Sequence, residues 1–186
     1  MALVFTGDEF ADGGEVIADV LARKKVKGSF FLTGNFYRRS DFAGIIKKLK
    51  DGGHYMGAHS DKHLLYADWT QRDSLLVTED EFKKDLRKNY SRMKKYNIKK
   101  SDAKYFLPPY EWYNKSISTW TNDLNLTLIN FTPGTRSASD YTYPGMTNYR
   151  SSDEIYASIM NYEQQDPHVL RIPMHRDCAQ RARRRV

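Results

Sequence analysis

Alternation of apolar runs with amphipathic segments is the feature that most constrains the fold of this chain. Six short apolar runs occur along the 186 residues, and segments with helical spacing of apolar side chains separate them. The runs are residues 2–6, 29–33, 54–58, 104–107, 127–131 and 168–174. A strand followed by a helix and then by a parallel strand is the building unit of α/β folds. We therefore predict an α/β fold with a mainly parallel sheet.

Two capping signals mark the starts of helices in this pattern. Thr78 and Glu81 form the sequence pattern of a capping box, which predicts a long helix from that point. Ser151 and Glu154 repeat the pattern and predict another helix. Apolar spacing predicts further helices over residues 15–24, 40–50 and 115–124.

Composition indicates one globular domain without a membrane span. Hydrophobic residues make up 40% and charged residues 28% of the chain. No run approaches the roughly 18 apolar residues that a spanning helix needs. The first residues carry no basic leader, so we expect no signal peptide within the chain, and a longer precursor would be compatible with a location outside the cytoplasm. The single cysteine, Cys178, excludes an internal disulfide and a cysteine-based zinc site.

The positive charge of the chain is concentrated at its end. The formal net charge is +7, and residues 176–186 contain five arginines and one aspartate. The lysines elsewhere follow helix periodicity and are not clustered with stacking aromatics, as a nucleic-acid groove would require. We therefore expect no nucleic-acid partner, and we predict that residues 176–186 form an atypical, disordered or altered tail.

Acidic and histidine side chains follow two of the predicted strands. Asp8 and Glu9 come after the first run, and His59 and His63 come after the third. Carboxyl ends of parallel strands share one face, where barrel-type α/β folds build active sites. Two carboxylates and two imidazoles suit a divalent metal and leave one acid as a base. An N-cap with a first-turn acid, and a surface turn, are the alternatives.

The histidine pair carries a geometric prediction. One helical turn between His59 and His63 would direct both rings at one point, as a shared metal requires. Asp61 and Lys62, between them, are expected to face solvent. His54 and His168 open their strands at the opposite end, so structural roles are expected for both.

Polar and aromatic residues follow the later strands as well. Pro108 and Pro109 fix the backbone that follows them, so the amide of Tyr110 is a candidate donor to a developing oxyanion. The ring of Trp112 suits either stacking on a sugar or packing in the core. His175 ends the last run.

These motifs resemble the polysaccharide deacetylase (NodB-homology) family, carbohydrate esterase family four. The resemblance extends from residue 1 to about residue 175, which we predict to be the catalytic domain. The resemblance rests on five stretches of sequence: Thr6-Gly7-Asp8-Glu9, the segment at residues 28–34, His59-Ser60-x-x-His63, Pro108-Pro109-Tyr110 and the final His175. It implies a distorted (β/α) barrel of about six or seven parallel strands, with the active site at their C-terminal ends. It also implies a divalent metal, usually zinc, with cobalt, nickel or manganese as alternatives.

The resemblance also implies a role for each matching residue. The general base would be Asp8, the general acid His175 and the oxyanion donor the Tyr110 amide. The metal ligands would be Glu9, His59 and His63, and the substrate-binding residues Pro109, Trp112 and Arg136.

Three departures from the family pattern stand out. The family usually has two aspartates where Asp8 and Glu9 stand, and an arginine where Leu107 stands. It often has an aspartate and a tryptophan after the fifth strand, where this chain has residues 132–136. We predict that Arg136 replaces the missing arginine and pairs with Asp8.

The activity that the resemblance implies is removal of N-acetyl groups from N-acetylated sugars of a polysaccharide or oligosaccharide. Two alternatives stay open. The site would also suit O-acetyl esters of the xylan type, and the chain could be a weakly active or inactive glycan-binding relative. The identity of the acetylated glycan, the native metal and the oligomeric state are not fixed by these motifs.

Overall fold

The computed structural model describes residues 2–131, 135–139, 142–165 and 169–171. Strands and helices alternate along this part of the chain, which confirms the α/β prediction. The strands are β1 (Ala2–Gly7), β2 (Ser29–Leu32), β3 (Tyr55–Ala58), β4 (Tyr105–Phe106), β5 (Thr127–Leu128) and β6 (Val169–Arg171). The helices are α1 (Gly14–Lys24), α2 (Gly34–Arg38), α3 (Ala43–Asp51), α4 (Glu79–Lys94), α5 (Lys115–Asp123) and α6 (Ser152–Gln165).

The chain packs as two compact units. The first consists of Met1–Phe30, Lys47–Tyr55 and Phe131–Val186. The second consists of Phe31–Ile46 and Met56–Asn130.

In the first unit, β1 and β6 pair in parallel, with Ala2 opposite Val169. The ring of Phe5 stacks on that of Phe30 with centroids 4.8 Å apart. Gly28 permits this packing, because a Cβ there would lie 2.8 Å from the Phe5 ring. On α1, Ile17, Ala18 and Leu21 are buried, as the helical spacing of the sequence predicts.

His54, which precedes β3, has the structural role predicted for it. Its Nδ1 accepts a hydrogen bond from the Gly28 amide at 3.1 Å, and its ring packs edge-on against Phe30. Burial, together with the nearby charge of Lys27, lowers the pKa of His54.

In the second unit, β3, β4 and β5 follow one another as parallel neighbours. Ala58 lies opposite Phe106, and Phe106 lies opposite Leu128. The predicted capping box is present: Thr78 Oγ1 accepts from the Glu81 amide, and the Glu81 carboxylate accepts from the Thr78 amide. The helix that it opens, α4, faces a core of fully buried side chains. This core includes Phe36, Tyr66, Phe82, Leu86, Met93 and Phe106.

Some element boundaries differ from the sequence prediction. The helix predicted over residues 40–50 begins as a 3-10 turn, Ser40–Phe42, and becomes α-helical at Ala43. β4 and β5 are shorter than predicted, and α2 was not predicted. The predicted tail at residues 176–186 and His168 lie outside the described residues, so the domain boundary at residue 175 stays a prediction.

A search of the described helices for a membrane span finds none that is long and apolar enough.

Candidate active site

His59 follows β3 directly and is only 2% exposed. Its Nδ1 lies 2.7 Å from the carbonyl oxygen of Leu107. A carbonyl can only accept, so Nδ1 carries the hydrogen, and Nε2 of the neutral ring then carries the lone pair. Metal-binding histidines typically donate their second ring nitrogen in this way. The backbone of Leu107 thus prepares His59 as a ligand, whatever side chain stands at that position.

His63 lies beside His59 but not on the same helical turn. The two ring centroids are 5.1 Å apart, and the His63 ring is 4.5 Å from that of Tyr110. The connecting backbone has left-handed residues at Ser60 (φ 76°) and His63 (φ 56°), so the predicted helical geometry is wrong. The rings come together through a tight irregular turn, residues 59–63, which we call the histidine turn.

A buried carboxylate on α4 holds the histidine turn. Asp85 is 5% exposed and accepts four hydrogen bonds. Two come from the backbone amides of Asp61 (3.0 Å) and Lys62 (3.1 Å), and two from the hydroxyls of Ser60 (2.7 Å) and Tyr66 (3.1 Å). Burial, with the charge of Asp85, raises the pKa of Tyr66 well above its ordinary value, so the phenol keeps its proton and donates it. Four donors match the lone-pair capacity of a carboxylate.

Asn89, one turn further along α4, fixes the start of the turn. Its Oδ1 accepts from the His59 amide at 3.0 Å, and its Nδ2 donates to the Leu32 carbonyl at 3.2 Å. Asn89 is fully buried, so water cannot take the place of the two hydrogen bonds that its side-chain amide makes.

The start of α2 holds the turn from another direction. The amides of Gly34 and Asn35 donate to the carbonyls of Ser60 and Asp61, each at 3.0 Å. Asp61 is 2% exposed and pairs with Arg38 at 2.7 Å, which corrects the expectation that it faces solvent. Its partner lies on α2, the helix that was not predicted.

Gly34 is required by this arrangement. A Cβ at Gly34 would lie 1.9 Å from Asp61 Oδ1. Lys62 is exposed, as predicted.

Tyr110 lies in a 3-10 turn, Pro109–Glu111, that follows β4. Tyr110 (φ 59°) and Glu111 (φ 55°) are both left-handed, a costly backbone state for residues with side chains. The amides of Glu111 and Trp112 bond to the carbonyls of Pro108 and Pro109. Within the described part of the chain, the amide of Tyr110 makes no hydrogen bond. This backbone fits a donor held ready for an oxyanion.

The two neighbouring substrate candidates differ in exposure. Pro109 is buried. Trp112 is half-buried, and its indole N–H donates to the Asp68 carbonyl at 3.0 Å. The guanidinium of Arg72 lies 4.3 Å from the centre of the Trp112 ring.

Trp69, which sequence reasoning missed, is 53% exposed. Its ring lies 5.5 Å from those of Tyr110 and Trp112. The irregular segment that carries it has no periodicity from which its position could be inferred.

Asp8 and Glu9 belong to the first unit and follow β1. Asp8 is half-buried and Glu9 is exposed. The N-cap of α1 is Gly13 and its first-turn acid is Glu15, so the capping alternative for Asp8 and Glu9 is excluded. Their roles as base and metal ligand stay predictions.

The pairing of Arg136 with Asp8 stays a prediction. Arg136 is exposed, and its amide donates to Ser158 Oγ at 3.1 Å. Hydrogen bonds from Ser151 lower the pKa of Glu154, and the charges of Arg150 and Arg136 add to this effect. His175 lies outside the described residues.

The donor chemistry of the second unit fits a zinc-type ion. Two imidazoles lie side by side, and one is held by a backbone carbonyl in the ligating tautomer. In the part of the chain that the structure describes, no group of three His, Cys, Asp or Glu side chains could hold a metal. The third predicted ligand, Glu9, comes from the first unit.

A sequence profile described as polysaccharide deacetylase matches residues 6–129, two thirds of the chain. The chain belongs to the polysaccharide deacetylase family. The match covers Asp8, Glu9, the histidine turn and Tyr110, and it confirms the resemblance to carbohydrate esterase family four. Membership also makes the chain part of a family of deacetylases and esterases of carbohydrates.

Individual relatives agree with the family. The peptidoglycan-N-acetylmuramic acid deacetylase PdaA of Bacillus subtilis is 43% identical over 47 residues, which are 25% of this chain and 17% of PdaA. Among solved structures, a family 4 pseudoenzyme from Bacillus anthracis has a TM-score of 0.75 at 17% identity. That similarity covers 97% of this chain and 56% of the other. The chain therefore spans only part of the length of these proteins.

A third structure, an acetyl xylan esterase from Clostridium thermocellum in complex with a cobalt ion, has a TM-score of 0.70 at 19% identity. The match covers 94% of this chain and 73% of the esterase. At such identities these structures establish the fold, the (β/α)-barrel-like fold of the family. The predicted fold class is confirmed. The described part of the chain contains six strands, and the predicted total of six or seven parallel strands stays a prediction.

Proposed function

We propose that this chain is a metal-dependent hydrolase that removes N-acetyl groups from N-acetylated sugars in a polysaccharide or oligosaccharide. The observation that carries the proposal is the histidine turn. His59 is fixed in the ligating tautomer, His63 lies beside it, and the Tyr110 ring adjoins His63. Membership of the family and the peptidoglycan deacetylase among its relatives support the substrate class.

The residues proposed to hold the metal are Glu9, His59 and His63. A divalent ion such as zinc would polarise the acetyl carbonyl and lower the pKa of water to about 7. The two imidazole nitrogens and one carboxylate oxygen are donors that zinc accepts, and three protein ligands leave a position open, as catalytic zinc sites require.

The remaining steps fall to the chain's own groups. Asp8 would take a proton from the attacking water, and the Tyr110 amide would donate a hydrogen bond to the oxygen on which negative charge develops. His175 would protonate the departing amine. An amine leaves poorly without that proton, so the acid is as necessary as the base.

Acetate release from a panel of acetylated glycans tests the proposal. The panel contains N-acetylglucosamine oligomers, peptidoglycan strands and acetylated xylan, each with added zinc or with chelator. We expect zinc-dependent release from an N-acetylated substrate and none with chelator. Release from acetylated xylan alone would replace the proposal by the O-acetyl esterase alternative. Glycan binding without any acetate release, in zinc or cobalt, would identify an inactive relative. This outcome is tested because Leu107 stands where the family usually has an arginine.

A further inference from the structure

A continuous series of ring contacts leads from the histidine turn to an exposed tryptophan. His63 contacts Tyr110, with centroids 4.5 Å apart, and Tyr110 contacts Trp69, with centroids 5.5 Å apart and planes nearly perpendicular. Trp69 in turn contacts Trp112. Trp69 and Tyr110 are 53% and 44% exposed, so large apolar rings face solvent beside the proposed reaction centre.

The segment that carries Trp69 is held in place by its own hydrogen bonds. Asp68 Oδ1 accepts from the amides of Thr70 and Gln71, both at 2.8 Å, and from the Thr70 hydroxyl at 2.7 Å. The Asp68 amide donates to the Ser74 carbonyl at 2.9 Å, next to an antiparallel bridge between Ala67 and Leu75. The indole is thus presented by a closed, hydrogen-bonded loop, which lowers the entropy cost of binding to it.

Trp112 packs against Trp69 and is itself held in place. Its indole N–H donates to the Asp68 carbonyl, and its ring contacts both the Arg72 guanidinium and the Trp69 ring. Arg72 is itself fixed, because its Nε donates to the Tyr113 carbonyl at 2.7 Å. Trp112 and Arg72 therefore hold Trp69, and the more exposed Trp69 is the ring available to a ligand.

We propose that Trp69 forms a stacking subsite for the sugar ring next to the acetylated sugar of the glycan. The proposal rests on the proposed function, which places the reacting carbonyl at the Tyr110 amide. A rigid, amphipathic indole one ring contact away from Tyr110 suits the apolar face of a pyranose, whose hydroxyls stay in water. A polymer places such a ring at the required position, whereas a monosaccharide does not reach it.

Binding of N-acetylglucosamine oligomers of one to six units to Trp69→Ala and to the wild type tests the subsite. We expect the Kd of the longer oligomers to rise roughly tenfold, while binding of the monosaccharide and turnover of an aryl acetate stay unchanged. In steady-state kinetics on the hexamer, KM should rise and kcat should change little. Trp69→Phe should restore most of the affinity. Tyr105→Ala is the matched control, since Tyr105 is 47% exposed at the start of β4.

The outcomes separate this subsite from the proposed function. Weaker oligomer binding by Trp69→Ala in a protein that releases no acetate would keep the subsite and remove the deacetylase activity. Normal deacetylation with the same Kd and KM for every oligomer would keep the activity and overturn the subsite. A change in self-association of Trp69→Ala, measured by sedimentation, without a change in glycan affinity would also overturn it.

Discussion

Asp85 shows how one buried side chain can determine the geometry of a site. Its carboxylate accepts hydrogen bonds from two amides and two hydroxyls that surround the histidine turn. Because the residue is buried and acts only through the turn, it is a positioning residue rather than a catalytic one.

We predict that Asp85→Asn weakens zinc binding by about 10–100-fold and lowers the free energy of unfolding by about 1–3 kcal/mol. An amide presents one acceptor oxygen and adds two donors, so some of the four hydrogen bonds are lost. Zinc affinity is measured by competition with a chromophoric chelator, and stability by urea unfolding. Asp80→Asn, an exposed acid in the first turn of the same helix, is the control. Wild-type zinc affinity in a variant that is clearly destabilised would restrict Asp85 to a purely structural role.

His54 makes stability depend on pH. Its pKa is lowered in the folded protein, and its Nδ1 accepts from the Gly28 amide, a bond that protonation of Nδ1 removes. The unfolded chain therefore binds the proton more readily. The contribution of His54 is present above about pH 6.5, the ordinary pKa of histidine, and it is lost as the pH falls from there through the lowered pKa of the folded protein. His54→Asn, which keeps an acceptor but does not titrate, should lose less stability between pH 7 and 5. Identical pH profiles of the urea midpoint would contradict this.

At the scale of elements, two helices, α4 and α2, contact the histidine turn. The sequence predicts the first of them but not the second. The capping box at Thr78 and the apolar stripe after it predict α4 correctly. The short helix α2 has only five residues, too few for a periodic signal, and its N-cap Thr33 follows a strand without a break. The burial of Asp61 could not be predicted, because it depends on Arg38 of that helix.

Parts of the candidate site also have no signal in the sequence. The types and order of its residues predict a histidine pair, an acid pair and a proline-fixed turn. The left-handed residues Ser60 and His63 have no sequence signature, so a helical turn was predicted where an irregular one occurs. Trp69 was missed for the same reason, since exposure in an irregular segment depends on the tertiary structure.

Gly34→Ala tests the contact between α2 and the histidine turn. Its new methyl group would overlap the Asp61 carboxylate, so we expect a loss of about 1–3 kcal/mol in the free energy of unfolding, with weaker zinc binding. Gly44→Ala is the matched control, because Gly44 lies in α3 and a Cβ there meets nothing within 4 Å. The control should be neutral or stabilised by up to about 1 kcal/mol, since alanine favours a helix over glycine. Equal stability of the two variants would show that the turn tolerates displacement.

At the scale of the whole molecule, the chain belongs to the polysaccharide deacetylase family. The profile match and the solved relatives agree on the fold, and the chain spans only part of the length of several of them. The imidazoles and Tyr110 belong to the second unit, whereas Asp8 and Glu9 belong to the first.

The most direct test is acetate release from N-acetylglucosamine oligomers by chelator-stripped protein as zinc is returned. We predict no release from the stripped protein and a rise to a plateau at one zinc per chain. Asp8→Asn should bind zinc and release no acetate, whereas Glu9→Ala should bind zinc more weakly. Acetate release that persists in chelator, or stripped protein that binds no zinc, would contradict the account.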